Sequence, residues 1–163
     1  MNFSRESEYA VRGMVALAGA SPHAALTLQE IAAQRNLPAG FLAKIFQKLV
    51  RYGLIESHRG VQRGYTLARP APEITLRQIV EAIEGPDLFD RCIFSHRRCG
   101  QEGRCILHSY WGRLRGEVTK LFEEVSLDDL AVTAMAQAAP DRLPEGHMDE
   151  PAWIRTKAAA LYS

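Results

Sequence analysis

Between Thr27 and Tyr52 two short helical patterns follow each other with almost no chain between them, and that brevity leaves few folds open. Thr27 is placed to cap a helix, and Glu30, three residues on, completes a capping box; Leu28, Ile31 and Ala32 then share one face. Arg35-Asn36 breaks the pattern. Leu37-Pro38 reopens it at once, with proline where a helix's first turn tolerates a missing N–H. Two helices joined so tightly predict a helix-turn-helix. The second, over residues 39–52, separates into two faces: Leu42, Ile45, Phe46 and Leu49 on one, Lys44, Gln47, Lys48 and Arg51 on the other. Such a polar stripe is most often only a solvated surface. It is also what a recognition helix presents, with Gln able to read base edges and Lys or Arg able to reach phosphate or guanine.

The flanking chain favours the second reading. Gly53 stops the helix, and strand-like runs over residues 54–57 and 65–67 enclose the tip "HRGVQRG", with arginines at 59 and 63. Glycine-punctuated strands of this length predict a β-hairpin wing, and Arg59 and Arg63 on it can meet the DNA backbone or a minor groove. An amphipathic helix over residues 7–20, carrying Ala10, Met14, Leu17 and Ala18, precedes the pair. The expected class is mainly α: a winged helix-turn-helix with a small β-hairpin wing, plus a long dimerisation helix.

Beyond residue 70, Thr75 and Gln78 form another capping box for a helix bearing Ile79, Val80 and Ile83, and Gly85-Pro86 ends it. A longer helix over residues 105–125 spaces Leu107, Trp111, Leu114, Val118, Leu121 and Val125 by alternating fours and threes, the seam of a short coiled coil. Core-facing amphipathic helices give similar stripes, but a small winged helix has little core left to cover, so this seam predicts a homodimer. Ser126 and Asp129 cap one more helix to about residue 138. The expected units are a DNA-binding domain over 1–84, a cysteine-rich loop over 85–108, dimerisation helices over 105–139 and a tail over 140–163.

Composition narrows the class of partner. Of 163 residues, 47% are hydrophobic and 24% charged, and no apolar run could span a bilayer. The polar N-terminus is no signal peptide, so a cytoplasmic location is expected, with no membrane partner. Residues 1–70 hold nine Lys/Arg against four Glu, whereas residues 71–163 hold eleven against fifteen acids. The basic end is therefore the one that carries the helix-turn-helix, as a DNA footprint requires. No nucleotide loop or acid–base pair points to an enzyme.

All three cysteines fall in "RCIFSHRRCGQEGRCILHSYW", as Cys92, Cys99 and Cys105, and His108 follows one helical turn after the last. Thiolates select zinc, copper(I) or iron–sulfur centres over hard cations. Gly100 and Gly103 let the loop fold back, and Arg91, Arg97, Arg98 and Arg104 offset the charge of a thiolate-ligated centre. Three readings compete: structural zinc on a Cys3His set, though paired C-x2–4-C knuckles are absent; a thiol switch, which needs neither a third thiol nor a histidine; and an iron–sulfur cluster. The spacing C-x6-C-x5-C-x2-H does not separate them.

Taken together, "SEYAVRGMVALA", "RGVQRGYTLA" and the cysteine string resemble the iron–sulfur winged-helix transcription regulators typified by IscR, NsrR and RirA, in the same order from the start of the chain to about residue 138. The resemblance implies a homodimer on a pseudo-palindromic double-stranded DNA operator, acting most often as a repressor, with an iron–sulfur cluster (2Fe–2S ahead of 4Fe–4S) setting affinity in response to iron, redox state or nitric oxide. It implies metal ligation by Cys92, Cys99, Cys105 and His108; in other members an acidic residue of the first helix, from the partner subunit, is the fourth ligand instead, and Glu8 stands at the matching position. Two departures stand out: C-x6-C replaces the family's common C-x5-C, and Val61-Gln62-Arg63 replaces its frequent Pro-Gly-Gly in the wing. The competing expectations are a zinc-stabilised or thiol-redox winged-helix repressor and, from another class, a small iron–sulfur electron carrier.

Overall fold

In the computed structural model, which describes residues 3–21, 24–60, 63–92, 98–99 and 106–138, the elements run α1 (Arg5–Ala18), α2 (Leu28–Arg35), α3 (Ala39–Arg51), β1 (Ile55–His58), β2 (Gly64–Leu67), α4 (Leu76–Glu84), α5 (His108–Glu124) and α6 (Leu127–Ala138). The expected winged helix-turn-helix is present, mainly helical with one two-stranded antiparallel sheet. Cys105, the loop glycines Gly100 and Gly103, Arg97, Arg104, Val61-Gln62 and the tail over 140–163 lie outside the described residues.

Local chemistry sets the helix ends. Thr27 and Thr75 each close a reciprocal capping box, with Glu30 and Gln78 respectively. Asn36 ends α2 at φ +52, a left-handed cap that asparagine tolerates better than most residues and that turns the chain sharply into α3. Helix α1 runs through the middle of the core and packs on α2, α3, α4 and α6. Its Ala10 and Met14 are fully buried with Ile31, Leu42, Phe46, Leu49 and Ile79. At Gly13 an added Cβ would lie 2.8 Å from the Phe46 ring, so glycine is what lets α1 and α3 approach.

The hairpin pairs Ile55 with Leu67, Glu56 with Thr66, Ser57 with Tyr65 and His58 with Gly64. Leu26, just before α2, adds two backbone bonds to Tyr65, at 3.0 and 2.8 Å, and ties the wing to the helix-turn-helix. Tyr65 also packs edge-on against Phe46, centroids 5.0 Å apart. The wing is thus anchored on the back of α3.

Three details differ from the sequence expectation. Pro86–Asp90 forms a 3-10 turn rather than loop, because its Leu88 and Phe89 bury against Val80 and Phe122. Helix α5 begins at His108, preceded by a turn at residues 106–107. The predicted seam also splits: Trp111 is buried, Val118 and Val125 are half-buried, and Leu114 and Leu121 each stay 54% exposed. Trp111 turns inward because its indole N–H donates to the Arg91 carbonyl at 3.1 Å.

Candidate functional site

On α3 the apolar stripe is buried and Lys44, Gln47 and Arg51 are exposed, as its sequence pattern requires. Lys48 departs from that group: it is half-buried, and its Nζ lies 2.5 Å from Glu6 Oε2 on α1. Arg59 and Arg63 stand exposed on either side of the wing tip. The sequence reading passed over Phe41. It shares the outer stripe with Lys44 and Arg51 and is 59% exposed on the first turn of α3. Its spacing from Lys44 was the available signal, lost when every aromatic near a core stripe is counted as core.

The thiol-bearing segment is fixed at its start. The Cys99 N–H donates to the Asp90 carbonyl at 2.8 Å, and an antiparallel bridge joins Arg91 to Arg98, drawing together the residues that precede two thiols. From α5, Arg115 donates to the same Asp90 carbonyl at 3.2 Å, alongside the Trp111 contact. Cys92 and Cys99 are half-buried, and Cys99 Sγ lies 3.3 Å from His108 Nδ1. Sulfur and imidazole nitrogen side by side form a donor set that fits a soft metal centre. Among the described residues no group of three His, Cys, Asp or Glu side chains is gathered to hold a metal ion; the third thiol, Cys105, is not among them. Two of the expected charge-neutralising arginines are already engaged. Arg91 donates to the Glu84 carbonyl at 3.2 Å, and Arg98 pairs with Asp87 at 2.5 Å, which holds the Asp87 carboxyl below its usual range.

A second set of bonds connects this segment to the first helix of the winged helix, through a residue that sequence pattern alone did not single out. Glu84, the last residue of α4, accepts from the Ser4 N–H at 2.8 Å, the Ser4 hydroxyl at 2.6 Å and the buried Ser7 hydroxyl at 2.5 Å. Burial pushes its carboxyl pKa up, but the Ser4 and Ser7 hydrogen bonds and the nearby Lys48 charge outweigh this and hold it below the ordinary value. Ser4 is also the N-cap of α1. Glu8, one turn into α1, lies 3.3 Å from Arg12, and Arg12 in turn donates to the Arg35 carbonyl at the end of α2 at 2.5 Å.

The Rrf2 family signature, described as an iron-dependent transcriptional regulator, matches residues 3–133. A candidate HTH-type transcriptional regulator of Mycobacterium tuberculosis is 35% identical over 145 residues, covering 86% of this chain and 90% of that protein. Among solved structures, CymR, the global cysteine regulator of B. subtilis, superposes with a TM-score of 0.70 at 26% identity, covering 82% of this chain and 98% of its own. The IscR of T. potens gives 0.68 at 25% identity, covering 86% and 94%. Among the described residues no helix is long and apolar enough to cross a membrane.

Proposed function

The chain belongs to the Rrf2 family of winged-helix transcriptional regulators, and on that premise we propose a homodimeric repressor whose operator affinity is set by an iron–sulfur cluster on Cys92, Cys99, Cys105 and His108. The contact between Cys99 Sγ and His108 Nδ1 carries the reading. These residues are nine apart, and one of them opens α5 while the other sits in a segment pinned to Asp90. His108 is favoured over Glu8 as fourth ligand because it already lies beside Cys99 Sγ within the same subunit. The resemblance to IscR supports 2Fe–2S. A bound cluster would supply a cross-link sensitive to iron supply and oxidants, joining α5 to the loop after α4.

Two features support the dimer and the coupling. Helix α5 exposes Tyr110, Leu114 and Leu121 on one side, a stripe that a second copy would bury. From the loop, Arg91 reaches Glu84, Glu84 reaches Ser4 and Ser7, and Glu6 on the same helical turn holds Lys48 of α3. A change at the thiols therefore has a short bonded route to the recognition helix, and dimeric helix-turn-helix proteins lose affinity when half-site separation shifts.

Anaerobic purification with iron and sulfide analysis, followed by binding to an operator obtained by in vitro selection, tests the proposal. The expected protein is coloured, contains iron and sulfide, and changes operator affinity when Cys99→Ser removes the cluster. A colourless protein with stoichiometric zinc would favour the second reading, a zinc- or thiol-based repressor; the likeness to a cysteine regulator gives that reading its support. Equal affinity with and without the centre would sink the sensor.

A further inference from the structure

Phe41 is an aromatic side chain exposed where a helix-turn-helix reads bases, and nothing in the core accounts for it. It lies on the first turn of α3, 59% exposed, while Leu42 beside it is fully buried. The residues before it are small and do not crowd this end of the helix: Ala39 and Gly40 are exposed, and a Cβ added at Gly40 would meet nothing within 4 Å. Along the same stripe come Lys44 and Arg51, with Arg59 and Arg63 on the wing beyond, all exposed.

That charge pattern selects the occupant. Cations flanking an apolar knob suit a polyanion that carries a small apolar feature between its phosphates, and they do not suit an apolar protein partner. In recognition helices of this kind the N-terminal residues are the ones that reach base edges in the major groove. The thymine 5-methyl group is the apolar feature displayed there. Phe41 has no hydrogen-bonding group, so what it can distinguish is that methyl from the bare cytosine or purine edge.

We infer that Phe41 is a specificity-determining residue that packs on a thymine 5-methyl in each operator half-site. The inference rests on the DNA-binding reading of α3. It adds a base preference that Lys44 and Arg51, as cations, do not supply.

Replacing the operator's thymines one at a time by deoxyuridine removes the methyl and leaves base pairing intact. At one thymine per half-site, wild-type affinity should fall about fourfold, the factor that one buried methyl carries. Phe41→Ala, which loses the contact in both half-sites, should bind the natural operator about sixteenfold more weakly and lose nothing further on the deoxyuridine duplex. Phe41→Leu should retain part of the methyl preference. The exposed position predicts unchanged thermal melting for both variants, which separates lost reading from lost folding. If selection yields no enriched sequence and duplex binding is absent, the regulator reading itself fails. If an operator is found and no deoxyuridine substitution matters to the wild type, or wild type and Phe41→Ala respond alike, the thymine assignment alone is overturned. A Phe41→Ala protein that binds DNA normally but no longer sediments as a dimer would instead make the ring an interface element.

Discussion

Gly64 begins β2 at φ +149, and a Cβ built there would lie 2.8 Å from the Leu26 carbonyl oxygen. Backbone conformation and close approach both demand glycine. Gly64→Ala should therefore destabilise the fold by about 2 kcal/mol and loosen the wing. Gly13→Ala clashes with the Phe46 ring, while Leu42 lies at an ordinary 3.6 Å, and about 1–3 kcal/mol is expected there from overpacking. Urea denaturation of both variants checks these values. Glu84 gives the chain a pH signature. Its folded-state pKa lies below the ordinary carboxylate value, so its contribution is complete above that ordinary value and disappears as pH falls through the lowered one. Glu84→Gln should reduce stability at pH 7 by about 1 kcal/mol and narrow the difference from wild type in acid. A stability difference that did not shrink on acidification would show that Glu84 acts through packing instead. None of these roles is legible in the chain alone. Gly13 and Gly64 look like ordinary glycines until a non-local neighbour is placed against them, and Glu84 looks like a solvated helix end.

At the level of elements, α3 and α5 show how far periodicity reaches. Local rules predicted α2 and α4 well, because capping boxes are complete within four residues and owe nothing to the rest of the fold. The charged face of α3 was predicted as one group, yet tertiary packing sorts it. Lys48 is held by Glu6, whereas Lys44 is exposed. Lys44→Ala should accordingly weaken operator binding several-fold more than Lys48→Ala, as a titration of both variants would show. The stripe on α5 was predicted as one seam, but the indole N–H of Trp111 found a carbonyl partner, and burial of that ring splits the row. Leu114→Glu places a charge on the half that remains outside. It should yield a folded monomer in sedimentation velocity; a dimer that persisted would place the subunit contact elsewhere.

For the molecule as a whole, the sequence's charge asymmetry and the fold agree: the basic N-terminal part carries both α3 and the wing. Arg59→Ala should lower affinity evenly across operator variants and reduce the slope of log affinity against log salt by about 2, one contact from each subunit of the dimer. A change of preference at one base pair would instead make Arg59 a base reader. The order of elements was legible because it depends on short-range spacing, and so were the candidate donors of the thiol site, of which the fold brings Cys99 and His108 together. The connection between that site and α3 was not, since it runs through the first turn of α1, where Ser4 and Ser7 meet Glu84 and Glu6 meets Lys48. That shared turn has a practical consequence for engineering. On the proposed sensor reading, transplanting the cysteine segment and α5 onto a foreign winged helix would carry over the centre but not its linkage. Without serines and an acid at matching places in the host's leading helix, a chimera that took up the proposed centre would stay deaf to it.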